Sequence, residues 1–186
     1  MTDEPALRAR IRLLLVAFIV GLVLSGITAF PLETELRWVT GLLGAAPSTR
    51  PEDVSGVLRW LVVVRDALVD TNARYPFIAY GTDWLAFAHL VIAVAFIGPL
   101  RDPVRNAWVV TFGLIACAAV VPLALIAGAV RGIPIYWRLI DCSFGVFGAA
   151  LLWPCRQAIA ELERRVIVTH AAPAPSAQHA ESIAPS

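Results

Sequence analysis

The sequence contains no lysine: all 15 basic residues are arginine. We read that as coding bias rather than mechanism. Charge of either sign is scarce, 16% of the chain, against about a quarter in soluble domains. The net charge is +1, so no basic field exists to draw nucleic acid or a strongly acidic partner. There are three cysteines, Cys117, Cys142 and Cys155. An odd number without C-x-x-C spacing argues against a disulfide framework or a redox dithiol. Each lies in a hydrophobic run, where a free cysteine packs as a small apolar residue. The three histidines, His89, His170 and His179, stand far apart and two fall in the tail. No metal signature appears, and no cofactor is implied.

What is present in excess is apolar. Hydrophobic residues make up 59% of 186, a surplus that suits a surface solvated by lipid. Four apolar runs stand out, at about 13–30, 80–100, 107–130 and 135–154. Each is near the ~20 residues that a spanning helix requires. The first follows Arg8, Arg10 and Arg12, as a cleaved signal would. Its length and Ile27, three positions before a cut after Ala29, oppose cleavage. Gly98-Pro99 and Asp102-Pro103 end the second run, and Gly132-Ile133-Pro134 ends the third. The expected fold class is all-α: a polytopic membrane protein with four transmembrane helices and an extracytoplasmic amphipathic helical segment between the first two.

Arginine placement sets the expected orientation. With the N-terminus inside, the inner segments hold Arg8, Arg10, Arg12, Arg101, Arg105, Arg156, Arg164 and Arg165. The short outer turn holds Arg131 alone, and residues 31–83 hold five arginines against seven acids. The positive-inside rule then places both termini in the cytoplasm. Trp108 and Trp153 at the inner boundary, and Tyr75, Tyr80, Trp84, Tyr136 and Trp137 at the outer one, form matching aromatic belts.

The outer segment, 31–79, reads as two helices. Pro31 opens a short one, with Leu32, Leu36, Val39 and Leu43 on one side and Gly44 as its stop. Thr49-Arg50-Pro51-Glu52 has capping-box spacing for the second. After it Val54, Val57, Leu58, Leu61, Val64 and Leu68 share one face. Arg65 falls on that apolar side and must snorkel or find a carboxylate. The pair is expected to lie on the membrane surface or to cap the bundle. Residues 1–165 then form a single membrane domain. Residues 166–186, rich in Ala, Pro and Ser over most of their length, form a disordered cytoplasmic tail.

Ionisable residues inside a membrane suggest function by default. Four stand out: Asp83, His89, Arg138 and Asp141. With Trp84 and Trp137 at the boundary, the ~1.5 Å rise per residue puts His89 ~8 Å and Asp141 ~6 Å below it. Arg138 and Asp141 are three apart and can pair on one face. His89 can donate to Asp141, or to Glu33 or Glu35 just beyond the first span. Such a set supports two chemistries. His89 and Asp141 can act as general acid and base, with Arg138, Asp83, Glu33 and Glu35 as ligand-binding groups. Equally, they can form a structural network, with Asp83 favoured simply as an acid in a first helical turn.

Small residues at four-residue spacing mark packing faces: Gly21, Ser25 and Ala29; Ala124 and Gly128; Asp141, Gly145 and Ala149. They serve packing within the chain or a homodimer seam. Pro122, in mid-helix, removes a backbone bond to Ala118 and predicts a kink.

The stretches Tyr75–His89 and Arg131–Gly145 resemble segments of uncharacterised bacterial four-span integral membrane proteins. The likeness covers most of 13–155. It implies a bacterial inner-membrane location and the same span number, and no activity. A looser likeness to the four-helix sterol-isomerase-like membrane fold carries over no residues, because the first span lacks that fold's acids.

Three function classes follow. The first is a small non-enzymatic bundle, whether scaffold, accessory subunit or ligand binder, partnered by the lipid bilayer. The second is a membrane-embedded enzyme acting on a lipid, isoprenoid or quinone. The third is a proton or small-solute carrier, opposed by the missing inverted repeat and the missing midplane charge.

Overall fold

The computed structural model describes residues 3–171. Seven α-helices and two 3₁₀ turns, with no strand, make up the regular structure of the described residues. They are α1 (Glu4–Ala29), α2 (Leu32–Leu42), α3 (Gly56–Arg74), α4 (Tyr80–Ala95), α5 (Ile97–Arg101), α6 (Ala107–Val130) and α7 (Ile135–Ala171), with turns at Pro51–Asp53 and Pro76–Ile78. Four helical stretches are long and apolar enough to cross a membrane: Glu4–Ala29, Pro76–Arg101, Ala107–Val130 and Ile135–Ile167. They coincide with the four apolar runs, and the third has the same bounds.

Two boundaries differ from expectation, both through helix continuation. Arg8, Arg10 and Arg12 lie within α1, where Arg8 pairs with Glu4 at 2.9 Å. At the other end α7 runs through Pro154 to Ala171, which includes the first six residues of the tail expected over 166–186. Residues 172–186 lie outside the described residues.

Where one membrane domain is expected over 1–165, contacts divide the chain into two compact units. One is Leu15–Gly98; the other joins the chain up to Leu14 with the chain from Pro99 onward.

In the Leu15–Gly98 unit, α1 and α4 meet closely at Gly26. A Cβ there would lie 3.0 Å from the Ala86 carbonyl oxygen and from Leu90 Cδ2. Phe18 and Phe96 stack with ring centroids 4.6 Å apart. Gly21, first of the expected small-residue stripe, meets nothing within 4 Å. The residue that brings these helices together is therefore Gly26, outside that stripe.

The same unit holds the α2–α3 hairpin. α2 stops as a glycine stop dictates. Gly44 takes φ +88°, its N–H reaches the Gly41 carbonyl at 3.0 Å, and the Ala45 N–H reaches Thr40 at 2.9 Å. These two bonds satisfy carbonyls that the helix end orphans. The second helix starts later than its capping signal suggests. The cap forms one residue on, from the Arg50 N–H to Asp53 Oδ2 at 3.1 Å, and it closes only the turn Pro51–Asp53. α3 proper begins at Gly56, which has φ +59°. Leu61, Val62 and Arg65 face inward from α3.

In the other unit, α6 and α7 form an antiparallel hairpin. Gly132 has φ +69°. The Gly132 N–H bonds the Ala129 carbonyl at 3.1 Å and the Ile133 N–H bonds Gly128 at 2.9 Å, the same two-bond closure as at Gly44. Below the turn Gly145 abuts the Cys117 carbonyl, where a Cβ would collide with backbone. Farther along, Arg156 Nε donates to Thr111 Oγ1 at 3.3 Å. Val109, Val110, Leu152, Cys155, Ile159 and Leu162 are buried. Bulky residues elsewhere on these helices, including Ile126, Phe144 and Phe147, are exposed. Apolar surfaces of that kind suit lipid rather than water.

Candidate functional site: the α2–α3 seam

The four ionisable residues expected in the spans divide between the units. Arg138 and Asp141 belong to one; Asp83 and His89 belong to the other, with Glu33 and Glu35.

Arg138 and Asp141 do not pair. Arg138 Nε donates to the Ile133 carbonyl at 2.9 Å and its terminal nitrogen to the Leu125 carbonyl at 3.3 Å. The cause is side-chain direction. A helical side chain leans toward its own N-terminus, so Arg138 points away from Asp141 and back to the end of α6. There a cation meets the Ile133 carbonyl of the turn and the Leu125 carbonyl near the end of α6, close to the negative pole of the helix. Gly128 makes room for it: a Cβ on Gly128 would stand 2.6 Å from Arg138 Cγ and Cδ. Asp141 is half-buried and makes no hydrogen bond or ion pair among the described residues. We therefore expect Arg138→Gln to lower stability by about 1–2 kcal/mol, through lost charge-assisted bonds at a helix C-terminus. Asp141→Asn should leave the melting temperature nearly unchanged. Equal losses in both variants, read by circular dichroism melts in detergent, would contradict this reading.

His89 has no carboxylate partner among the described residues. Its Nδ1 lies 2.8 Å from the Leu85 carbonyl one turn back on α4. A carbonyl only accepts, so that bond places the proton on Nδ1. Asp83 sits in the first turn of α4, where an acid favours the helix dipole.

Polar groups do converge outside the spans, where α2 lies against α3. Glu33 on α2 accepts from Asn72 Nδ2 of α3 at 2.7 Å and from Arg37 Nε at 2.9 Å. Those donors, Asn72 foremost and then Arg37, hold the Glu33 carboxyl below its ordinary 4.5. The sign is that of a stabilised carboxylate. Its contribution is complete above the unfolded value and disappears as pH falls through the lower folded value. Wild type and Glu33→Gln should thus differ in melting temperature at neutral pH and converge as pH drops below 4.5. A constant difference over that range would count against the network.

Glu33 and Asn72 line a cavity of ≈ 290 Å³ with Thr34, Thr82 and apolar Phe30 and Leu68. Thr82 Oγ1 donates to the Ala79 carbonyl at 2.6 Å. The ends of α1 and α3 and the starts of α2 and α4 thus surround one partly polar hollow. Glu35 is half-buried and stays outside this network.

Beside it lies the most buried charge among the described residues. Arg65 is 3% exposed. Its Nε donates to Asp66 Oδ1 at 2.8 Å, and its terminal nitrogens reach the Ala46 carbonyl at 3.1 Å and the Thr49 carbonyl at 2.9 Å. The carboxylate expected for Arg65 is present, together with two loop carbonyls. A second cavity, of ≈ 270 Å³, is lined by Arg65, Asp66, Arg37, Ala45 and Val69 among others.

Asn72 and Arg37 escaped the sequence reading. Neither belongs to a motif. The available signal was spacing alone, since Glu33 and Arg37 are four apart on a helix and form a favourable pair. No protein-family model, no curated protein and no solved structure matches this chain.

Proposed function

We propose that this chain is a multi-pass integral membrane protein that acts as a small ligand-binding or accessory bundle, not as an enzyme. Its binding end is the α2–α3 segment. In this reading both termini lie in the cytoplasm of a bacterial inner membrane, and α2–α3 lies at the extracytoplasmic surface. Arginine asymmetry supports the orientation. An exposed apolar edge on α2, Trp38, Leu42 and Leu43, supports the surface placement, because an amphipathic helix with such an edge seats in the interface. Gly21, open in the single chain, leaves the first span available to a second copy as a homodimer seam.

The observation that carries the binding role is the Glu33–Asn72–Arg37 network on the wall of a 290 Å³ cavity. A few fixed polar groups beside apolar lining are what a small-molecule site needs. Two hydrogen bonds weigh against the acid-base alternative. His89 spends its Nδ1 proton on its own helix and Arg138 caps α6.

Purification of the full chain in mild detergent, with mass spectrometry of co-purifying molecules, tests this. Wild type should retain a bound lipid or other small molecule that Glu33→Gln and Asn72→Ala lose while remaining folded. Equal retention by both folded variants, or an empty wild type, refutes the binding role.

A further inference from the structure

We infer that the second cavity, between Arg37 and Arg65, is a phosphate-recognising site whose occupant is the headgroup of a phospholipid. The lipid source rests on the surface placement proposed above; phosphate recognition does not.

The argument begins with donors. An arginine carries five N–H groups. Arg65 is buried and uses three, on Asp66 and the carbonyls of Ala46 and Thr49. Arg37 uses one, on Glu33. In both cases the carboxylate takes the Nε edge. The terminal nitrogens of Arg37 therefore remain without partners among the described residues, and Arg65 keeps two N–H groups in reserve. Both side chains line the same cavity of ≈ 270 Å³.

A buried cation with spare donors is costly unless an acceptor arrives. The loop carbonyls and Asp66 hold Arg65 in place without exhausting it, which is preorganisation. A phosphate matches what remains. It is planar-fork compatible, offers several acceptor oxygens and takes two guanidinium groups together. Asp66 is the acid on the cavity wall, and Glu33 neutralises Arg37 from the neighbouring cavity. The wall is therefore balanced in charge before the ligand enters. That favours a singly charged phosphodiester over a more highly charged anion.

Two features favour the lipid over free phosphate. Ala45 and Val69 make part of the lining apolar, which suits glycerol carbons. Trp38, adjacent to Arg37, is exposed on the α2 edge with Leu42. A helix whose apolar edge enters the interface carries its flanking arginine to headgroup depth.

Calorimetric titration of the full chain in dodecyl maltoside provides the test, at constant ionic strength. The probes are dihexanoyl phosphatidylglycerol, inorganic phosphate, and dihexanoylglycerol, which has the tails without the phosphate. Arg37 is half-exposed, so Arg37→Gln should fold. It should weaken phosphatidylglycerol binding by about tenfold or more, the loss expected for charge-assisted bonds. Asp66→Asn should tighten it, by releasing the Arg65 Nε edge. Phosphatidylglycerol binding well below the phosphate range identifies the lipid source. Phosphate binding alone, still dependent on Arg37, keeps the site and removes the lipid. Binding of dihexanoylglycerol as tight as phosphatidylglycerol, no binding of either phosphate probe, or affinities unchanged in both variants overturns the proposal.

Discussion

Arg65→Ala should destabilise the α2–α3 hairpin by about 2–4 kcal/mol, because it orphans the Thr49 carbonyl, at a cost of roughly 1–3 kcal/mol, and strips the Ala46 carbonyl of one of its two bonds. Arg65 reaches the Ala46 and Thr49 carbonyls across 19 and 16 residues of chain, and the Ala46 carbonyl also accepts from the Thr49 N–H at 3.0 Å. They belong to the stretch between Gly44 and Pro51, which is irregular and has few other backbone bonds. The side chain does the work a strand partner would do elsewhere. Ala removes both bonds and the packed stem at once. Asp66→Ala should cost far less, since Asp66 is 45% exposed and water replaces its partner. A salt bridge alone predicts equal losses, and a loop staple predicts unequal ones. Melting of the two variants in detergent, with proteolysis of the 44–51 connection as a local readout, separates the two. Similar behaviour of both variants would refute the staple.

The second large effect lies at Gly145. Gly145→Val should lower stability by roughly 3 kcal/mol, at the upper end of overpacking costs. The added Cβ meets the Cys117 backbone carbonyl. Backbone in the middle of α6 cannot rotate aside, so α6 and α7 must separate along the hairpin. Lipid offers no hydrophobic drive to restore the contact, because close packing is what holds such helices together. Gly128→Ala is a useful contrast, for its Cβ would meet only the flexible stem of Arg138. Gly21→Ala is the control in open space, where the change should stay within about 1 kcal/mol. The expected order of melting temperatures is Gly145→Val lowest, Gly128→Ala intermediate and Gly21→Ala near wild type. If Gly145→Val melts with Gly21→Ala, the close approach is not what joins these helices.

The polar residues show where a linear reading loses information. Spacing placed Arg138 and Asp141 within reach on one face. Side-chain lean sends Arg138 the other way, to carbonyls that only the folded turn brings near. Depth counting put His89 and Asp141 at compatible heights. Height says nothing about azimuth, and the bond from His89 Nδ1 to the Leu85 carbonyl is not legible in depth at all. Arg65 is the opposite case. Its position on an apolar face was visible, and so was the need for a partner. Which carbonyls would serve was not.

The sequence by itself determined the helical class, the four apolar stretches, and the stops at Gly44 and Gly132. These depend on local quantities: run length, hydropathy, and the φ that glycine tolerates. Tertiary structure alone decided that Gly26 rather than Gly21 joins α1 to α4. It also decided that Glu33 meets Asn72 across 39 residues, and that two arginines share one cavity. Each of those facts depends on the rotation of one helix against another. That rotation is set by packing over the whole contact face, and no single residue or spacing encodes it.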